Sequence, residues 1–173
     1  MLDPLACGGR YPAHVRFFLG ITGASGAPYA ARVLAGLTAA GAEVGVCASR
    51  AAGEVIAYEL YRDRSLDPSE AVRRLVSEHG GAQTTLYAED DWFAPYASGS
   101  ARVDGYLVCP CSMATAGTIA SSGQSNLIHR AAGVALKEDR RLVLVPRETP
   151  LSRAANARQR RSRPAVIRRF IRS

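Results

Sequence analysis

HVRFFLGITGASGAPYAARVLAGLTAA, residues 14–40, decides the fold. Its opening, His14–Thr22, is rich in β-branched and aromatic residues and ends at glycine, which reads as a buried strand. In Pro28–Ala40 the residues Ala30, Val33, Leu34 and Leu37 fall at three- and four-residue spacing, one apolar stripe of a helix. Pro28 suits a first helical turn, where its missing N–H costs nothing. Between strand and helix lies Gly20–Gly26 (GITGASG), a turn in which Gly23 and Gly26 let the backbone bend tightly and approach a ligand.

The alternation continues outward. Glu43–Ser49 (EVGVCAS) reads as a second strand, and Arg50–Tyr61 and Ser69–Glu78 as helices, the latter with Ser69 as its cap and Glu70 in its first turn. Thr84–Tyr87 reads as a short strand and Glu89–Ser100 (EDDWFAPYASGS) as a loop by composition. Gly105–Cys109 (GYLVC) is a third core strand, Ser112–Ser121 and Ser125–Asp139 are helices, and Leu142–Val145 (LVLV) is a fourth core strand. Strands and helices in alternation with short connections imply right-handed crossovers and an α/β fold, a parallel sheet covered by helices on both faces. In such sheets ligands bind outside the carboxyl ends of the strands.

The 173 residues suit one domain at roughly 150 residues per domain. Apolar residues at 47% and charged residues at 21% match a globular chain and exclude a disordered or fibrous one. No apolar run approaches a membrane span of about 18 residues, and the first residues lack the basic start and apolar stretch of a signal peptide. Cys7, Cys47, Cys109 and Cys111 show no CxxC or zinc spacing, which reads as a reduced cytoplasmic protein with no metal. The net charge of +7 is unevenly placed. Residues 1–152 hold 14 basic and 15 acidic residues, whereas residues 153–173 (RAANARQRRSRPAVIRRFIRS) hold eight arginines and no acid. The expected organisation is an N-terminal extension (1–13), a body (14–152) and an Arg-rich tail (153–173).

Four motifs fall at strand ends. GITGASG offers helix N–H groups and the Ser25 hydroxyl to a phosphate or a flavin edge; the competing reading is a plain tight turn, since no P-loop Lys follows and the GxGxxG spacing is not met. Cys109–Thr115 (CPCSMAT) offers the Ser112 and Thr115 hydroxyls; Cys109 and Cys111 are either nucleophiles or small buried hydrophobes, and no His or carboxylate is near them in sequence. Arg130 and Lys137, seven residues apart, share a helix face about 10 Å apart, fit for a phosphate dianion or for a solvated basic edge. Pro146–Pro150 (PRETP) sets Arg147 beside Glu148, either an anion anchor with a proton-transfer carboxylate or a surface pair. Trp92, in the loop, covers a flat ligand or staples the loop to the body.

Together GITGASGAPYAARVL, SRAAGEVIAYE (Ser49–Glu59), DDWFAPYASGS (Asp90–Ser100), CPCSMAT and NLIHRAAGVALKEDRRLVLVPRETPLS (Asn126–Ser152) resemble the flavin prenyltransferase family (UbiX-type) over about residues 14–152. The resemblance implies a flavodoxin-like or Rossmann-like fold, assembled as a homo-oligomer, a dodecamer in the family, with sites between subunits. It implies that reduced FMN is alkylated by dimethylallyl phosphate without a metal, and that the product serves a UbiD-type decarboxylase. It carries FMN binding to Gly23, Ala24, Ser25, Ser49, Ser112, Met113, Ala114, Thr115 and Arg147, and proton transfer to Glu59 and Glu148, with Ser25 beside them. It carries prenyl-phosphate binding to Arg130 and Lys137, and an aromatic pocket wall to Trp92. Allylic phosphate departure develops negative charge that fixed cations stabilise, and a cation-like prenyl group needs a dry aromatic pocket.

The chain departs from the family at Gly133, where an aspartate is usual, and after Ser152, where the Arg-rich tail stands in place of a helix, a strand and a tyrosine- and arginine-bearing end. The second departure looks like a shifted reading frame or a degraded gene end, and the expectation is a sheet lacking an edge or near-edge strand and two lost substrate ligands. Three other readings compete with an active prenyltransferase: a flavin-binding but impaired homologue, an FMN-dependent cysteine decarboxylase using Cys109 or Cys111, and nucleic-acid binding through the tail, which would show steep salt dependence.

Overall fold

The structure, a computed structural model, describes residues 15–147. Five strands form its frame: β1 (Arg16–Ile21), β2 (Glu43–Ala48), β3 (Thr84–Tyr87), β4 (Gly105–Cys111) and β5 (Leu142–Pro146). All pair in parallel, in the order β3-β2-β1-β4-β5. The chain walks outward from β1 to β3, then crosses back to lay β4 on the other side of β1. That reversal leaves a crevice between the carboxyl ends of β1 and β4, where open α/β sheets take ligands.

Five helices cover the sheet: α1 (Ala27–Ala39), α2 (Arg50–Glu59), α3 (Pro68–His79), α4 (Met113–Ala120) and α5 (Leu127–Lys137). Successive strand residues point to opposite faces, so β1 feeds two cores. Leu19 and Ile21, with Val44 and Val46, pack under Ala30, Leu34, Ile56 and Leu75 of α1–α3. Phe18, with Tyr106, Val108 and Leu144, packs under Leu127, Ile128, Ala131 and Ala135 of α5. Each fully buried aliphatic side chain contributes roughly 1.5–3 kcal/mol.

The expected α/β architecture is observed, with shifted boundaries. β4 runs to Cys111, two residues past its expected end. The helix expected at Ser69 begins at Pro68, and its cap is Asp67, whose carboxylate accepts the N–H groups of Ser69 (2.9 Å) and Glu70 (3.1 Å). Pro68 takes the first helical position, which moves the cap one residue upstream of it. Glu89–Ser100 is a loop at both ends, but its Pro95–Ala97 segment is a 3-10 turn that buries Tyr96. The Tyr96 ring lies 5.1 Å from that of Phe18 and occupies the space a Cβ at Gly45 would need. The N-terminal extension and the Arg-rich tail lie outside the described residues.

Candidate functional site

Three turns converge at the carboxyl ends of β1, β2 and β4. The Ser49 N–H donates to the Ile21 carbonyl (3.0 Å), tying the β2 turn to β1. On the other side, the Thr22 N–H donates to the Pro110 carbonyl (3.2 Å). Gly23 follows, and a Cβ there would lie 2.6 Å from the Ala51 Cβ, so only glycine lets the β1–α1 turn sit against the start of α2. Gly26 caps α1 with φ 126°, a left-handed conformation that L side chains avoid.

The start of α1 is not left open for a phosphate. The last residue of α2, Glu59, reaches across to it. Glu59 Oε2 accepts the N–H groups of Gly26 (2.9 Å) and Ala27 (2.8 Å), and Oε1 accepts the Ser25 hydroxyl (2.6 Å). Burial is the largest single influence on this carboxyl and raises its pKa. The bonds from Ser25, Gly26 and Ala27 and the charge of Arg147 together outweigh it, so the pKa lies below the ordinary value. Glu59 is therefore an ionised cap of α1, and it satisfies donors that α1 cannot satisfy itself.

The starts of α2 and α4 are different. The Ser49 Oγ accepts the Ala52 N–H (3.2 Å), while the Arg50 and Ala51 N–H groups have no partner among the described residues. The Ser112 Oγ accepts the Thr115 N–H (3.2 Å) and donates to the Thr115 Oγ1 (3.0 Å), and the Met113 and Ala114 N–H groups likewise have no described partner. Paired helix N-termini with open amides have the geometry and partial charge that suit an anion. In GITGASG, by contrast, the Gly26 and Ala27 N–H groups are already taken by Glu59.

Arg147 is exposed, its N–H donates to the Cys111 carbonyl (3.3 Å), and its charge reaches Glu59. Glu148 lies outside the described residues. Arg130 and Lys137 share one face of α5, as their spacing predicts, and line a cavity of about 410 Å³ with Gln124, His129 and Glu138. The Arg130 guanidinium is held by the Ala97 carbonyl (2.9 Å) and the Gln124 Oε1 (2.6 Å), whereas Lys137 is largely exposed. A Cβ at Gly133 would lie 3.0 Å from the Gln124 amide nitrogen. A second cavity, of about 720 Å³, borders Ser25 and Glu59 together with Tyr58 and Arg64. The two cavities have no lining residue in common, so the structure does not bring Arg130 and Lys137 to the Ser25–Glu59 turn within one chain.

Trp92 is half-exposed and Phe93 is 99% exposed, next to Glu89, Asp90 and Asp91. Cys47, Cys109 and Cys111 are buried. Burial pushes their thiols up to about 12, 11 and 12, which makes them poor nucleophiles and favours the hydrophobe reading of Cys109 and Cys111. Among the described residues no cluster of side chains could hold a metal ion, and no helix is long and apolar enough to cross a membrane. Thr22 carried no signal in the sequence, because its partners are set by sheet order, whereas the Asp67 cap was signalled by Pro68 directly after it.

The profile of the Flavoprotein family matches residues 10–159. The flavin prenyltransferase UbiX of Pseudomonas aeruginosa is 44% identical over 140 residues, covering 79% of this chain and 66% of that protein. The chain thus spans about two thirds of the length of that curated relative. Among solved structures, AnUbiX (PadA1) in complex with FMN and dimethylallyl pyrophosphate superposes with a TM-score of 0.72 at 39% identity, over 84% of this chain and 71% of that one. The dodecameric FMN-dependent UbiX-like decarboxylase from Escherichia coli O157:H7 gives 0.74 at 33% identity, over 85% and 74%.

Proposed function

Because this chain belongs to the flavoprotein family, and within it to the flavin prenyltransferases, we propose that it transfers a dimethylallyl group from dimethylallyl phosphate to reduced FMN. The observation that carries the reading is the meeting of Gly23–Ser25, Ser49 and Ser112–Thr115 at the carboxyl ends of β1, β2 and β4. The fit to FMN rests on that edge. The open amides of α2 and α4 suit a phosphate, and the side-chain-poor Gly23–Ala24 backbone suits the edge of a flat ring.

Reduced FMN supplies the nucleophilic ring atoms that take the prenyl group. The chain's own residues bind, orient and move protons. Ser49, Ser112, Met113, Ala114, Thr115 and Arg147 hold the flavin. Glu59, ionised, accepts the Ser25 proton, which leaves the Ser25 oxygen lone pairs that would accept a hydrogen bond from a bound flavin. Glu148 is the second carboxylate, placed in sequence beside Arg147 to take or give a proton. As the prenyl C–O bond breaks, its electron pair goes to the phosphate, and Arg130 and Lys137 stabilise that charge. Trp92 forms the aromatic wall.

Since Arg130 and Lys137 line a cavity apart from Ser25 and Glu59, the reading includes a homo-oligomer in which one copy completes the site of another. It also includes a UbiD-type decarboxylase as recipient of the product and a cytoplasmic location. The test is anaerobic incubation of the purified 173-residue chain with reduced FMN and dimethylallyl phosphate, followed by mass spectrometry of the flavin. Prenylated FMN is the expected product. Saturable FMN binding without any prenylated flavin would refute the transferase reading and leave a flavin-binding protein.

A further inference from the structure

The regular ladder between β1 and β4 ends at Gly20↔Val108. Two residues later the strands are held by Thr22, whose N–H donates to the Pro110 carbonyl (3.2 Å) and whose side chain adds two further bonds. Thr22 is only 2% exposed. Its Oγ1 donates to the Pro110 carbonyl (2.8 Å) and accepts the Ser112 N–H (2.8 Å). A hydroxyl has one proton to give and lone pairs to receive, so it can serve both groups at once. Valine has the same shape and can serve neither. The two groups bracket Cys111, and of the bonds around it this oxygen makes the one that holds the Ser112 N–H, the first amide past β4. Ser112, whose amide it holds, caps α4 through Thr115.

We propose that Thr22 is a positioning residue of the flavin site, acting through Ser112 to aim the open amides at the start of α4 toward the ligand. The proposal rests on the FMN reading above. Its β-branch limits χ1, which keeps the oxygen over the crevice between the strands rather than in solvent. Nothing else among the described residues bonds the Ser112 N–H.

The experiment compares wild type, Thr22→Val and Thr22→Ser by FMN titration, thermal melting and amide hydrogen exchange. Thr22→Val leaves the Ser112 N–H without its partner and frees the α4 turn, so FMN affinity falls by about tenfold or more, whereas Thr22→Ser stays within about twofold of wild type. If wild type binds FMN and Thr22→Val binds it equally well, the proposal is overturned and the FMN reading stands. If soluble, folded wild type binds no FMN, the FMN reading fails and Thr22 loses the ligand it would serve. Hydrogen exchange in wild type alone covers a Thr22→Val chain that does not fold. The Ser112 amide should exchange as slowly as the amides inside β4, and free exchange there overturns the proposal.

Discussion

Glu59 accepts the Ser25 hydroxyl at 2.6 Å across 34 residues of chain, and with the same carboxylate it caps α1. The pair joins the end of one helix to the start of another. Glu59→Ala removes all three accepted bonds and should cost about 1–2 kcal/mol, as loss of a helix cap does. Glu59→Gln keeps an acceptor and should cost less. The carboxyl titrates below its ordinary 4.5, so its contribution is full above that value and fades as the pH falls through the folded-state pKa. Urea denaturation of wild type and Glu59→Gln from pH 7 down to pH 3 should show two curves that converge at the acid end. Curves that stay parallel would remove the charge from the account.

Gly23→Val should separate the β1–α1 turn from α2, because even a Cβ would meet Ala51 at 2.6 Å. The expected loss is about 1–3 kcal/mol, the usual cost of overpacking. FMN affinity should fall with it. Unchanged affinity in a stable variant would show that the close approach is not part of the site.

His129 is 8% exposed, its Nδ1 is bonded to the Ser125 hydroxyl at 2.9 Å, and its Nε2 has no partner among the described residues. Burial lowers its pKa, against the charge of Glu89, which raises it. A base whose folded pKa lies below its unfolded one favours folding when neutral. Stability is therefore complete above the ordinary 6.5 and is lost as the pH falls through the folded value. Melting from pH 8 to pH 5 should show this slope in wild type and its loss in His129→Gln.

Cys47, Cys109 and Cys111 should stay silent to a thiol reagent at pH 8 in the folded protein, tested in a Cys7→Ser background. All three should react at once in urea. Fast labelling of a folded thiol would contradict burial as the cause of their raised pKa values.

How far these features could be read in advance varied with their range along the chain. β1 and α1 were legible because alternation and three-to-four spacing are local. Thr84–Tyr87 was legible for the same reason. The cap of α3 is ambiguous in sequence because Ser69 and Asp67 are both good caps, and only the strict fit of Pro68 to a first turn separates them. Tyr96 hid in a loop-like composition, since its burial comes from Phe18 and Gly45 on strands far off in sequence. Family resemblance points to Glu59, but its grip on α1 depends on α2 ending beside that helix. Arg130 and Lys137 were correctly put on one face, yet spacing carries no information on which other turn that face meets.

The exposed Phe93 ring stands beside Glu89, Asp90 and Asp91 in the loop. Drying a phenylalanine releases roughly 1.5–3 kcal/mol, enough to make the loop adhesive. Drying the neighbouring carboxylates without partners costs more than that. Random sticking is therefore uphill, and only a surface that covers the ring while leaving the acids wet, or meets them with cations, gains by touching it. The loop works as a filter on its own contacts.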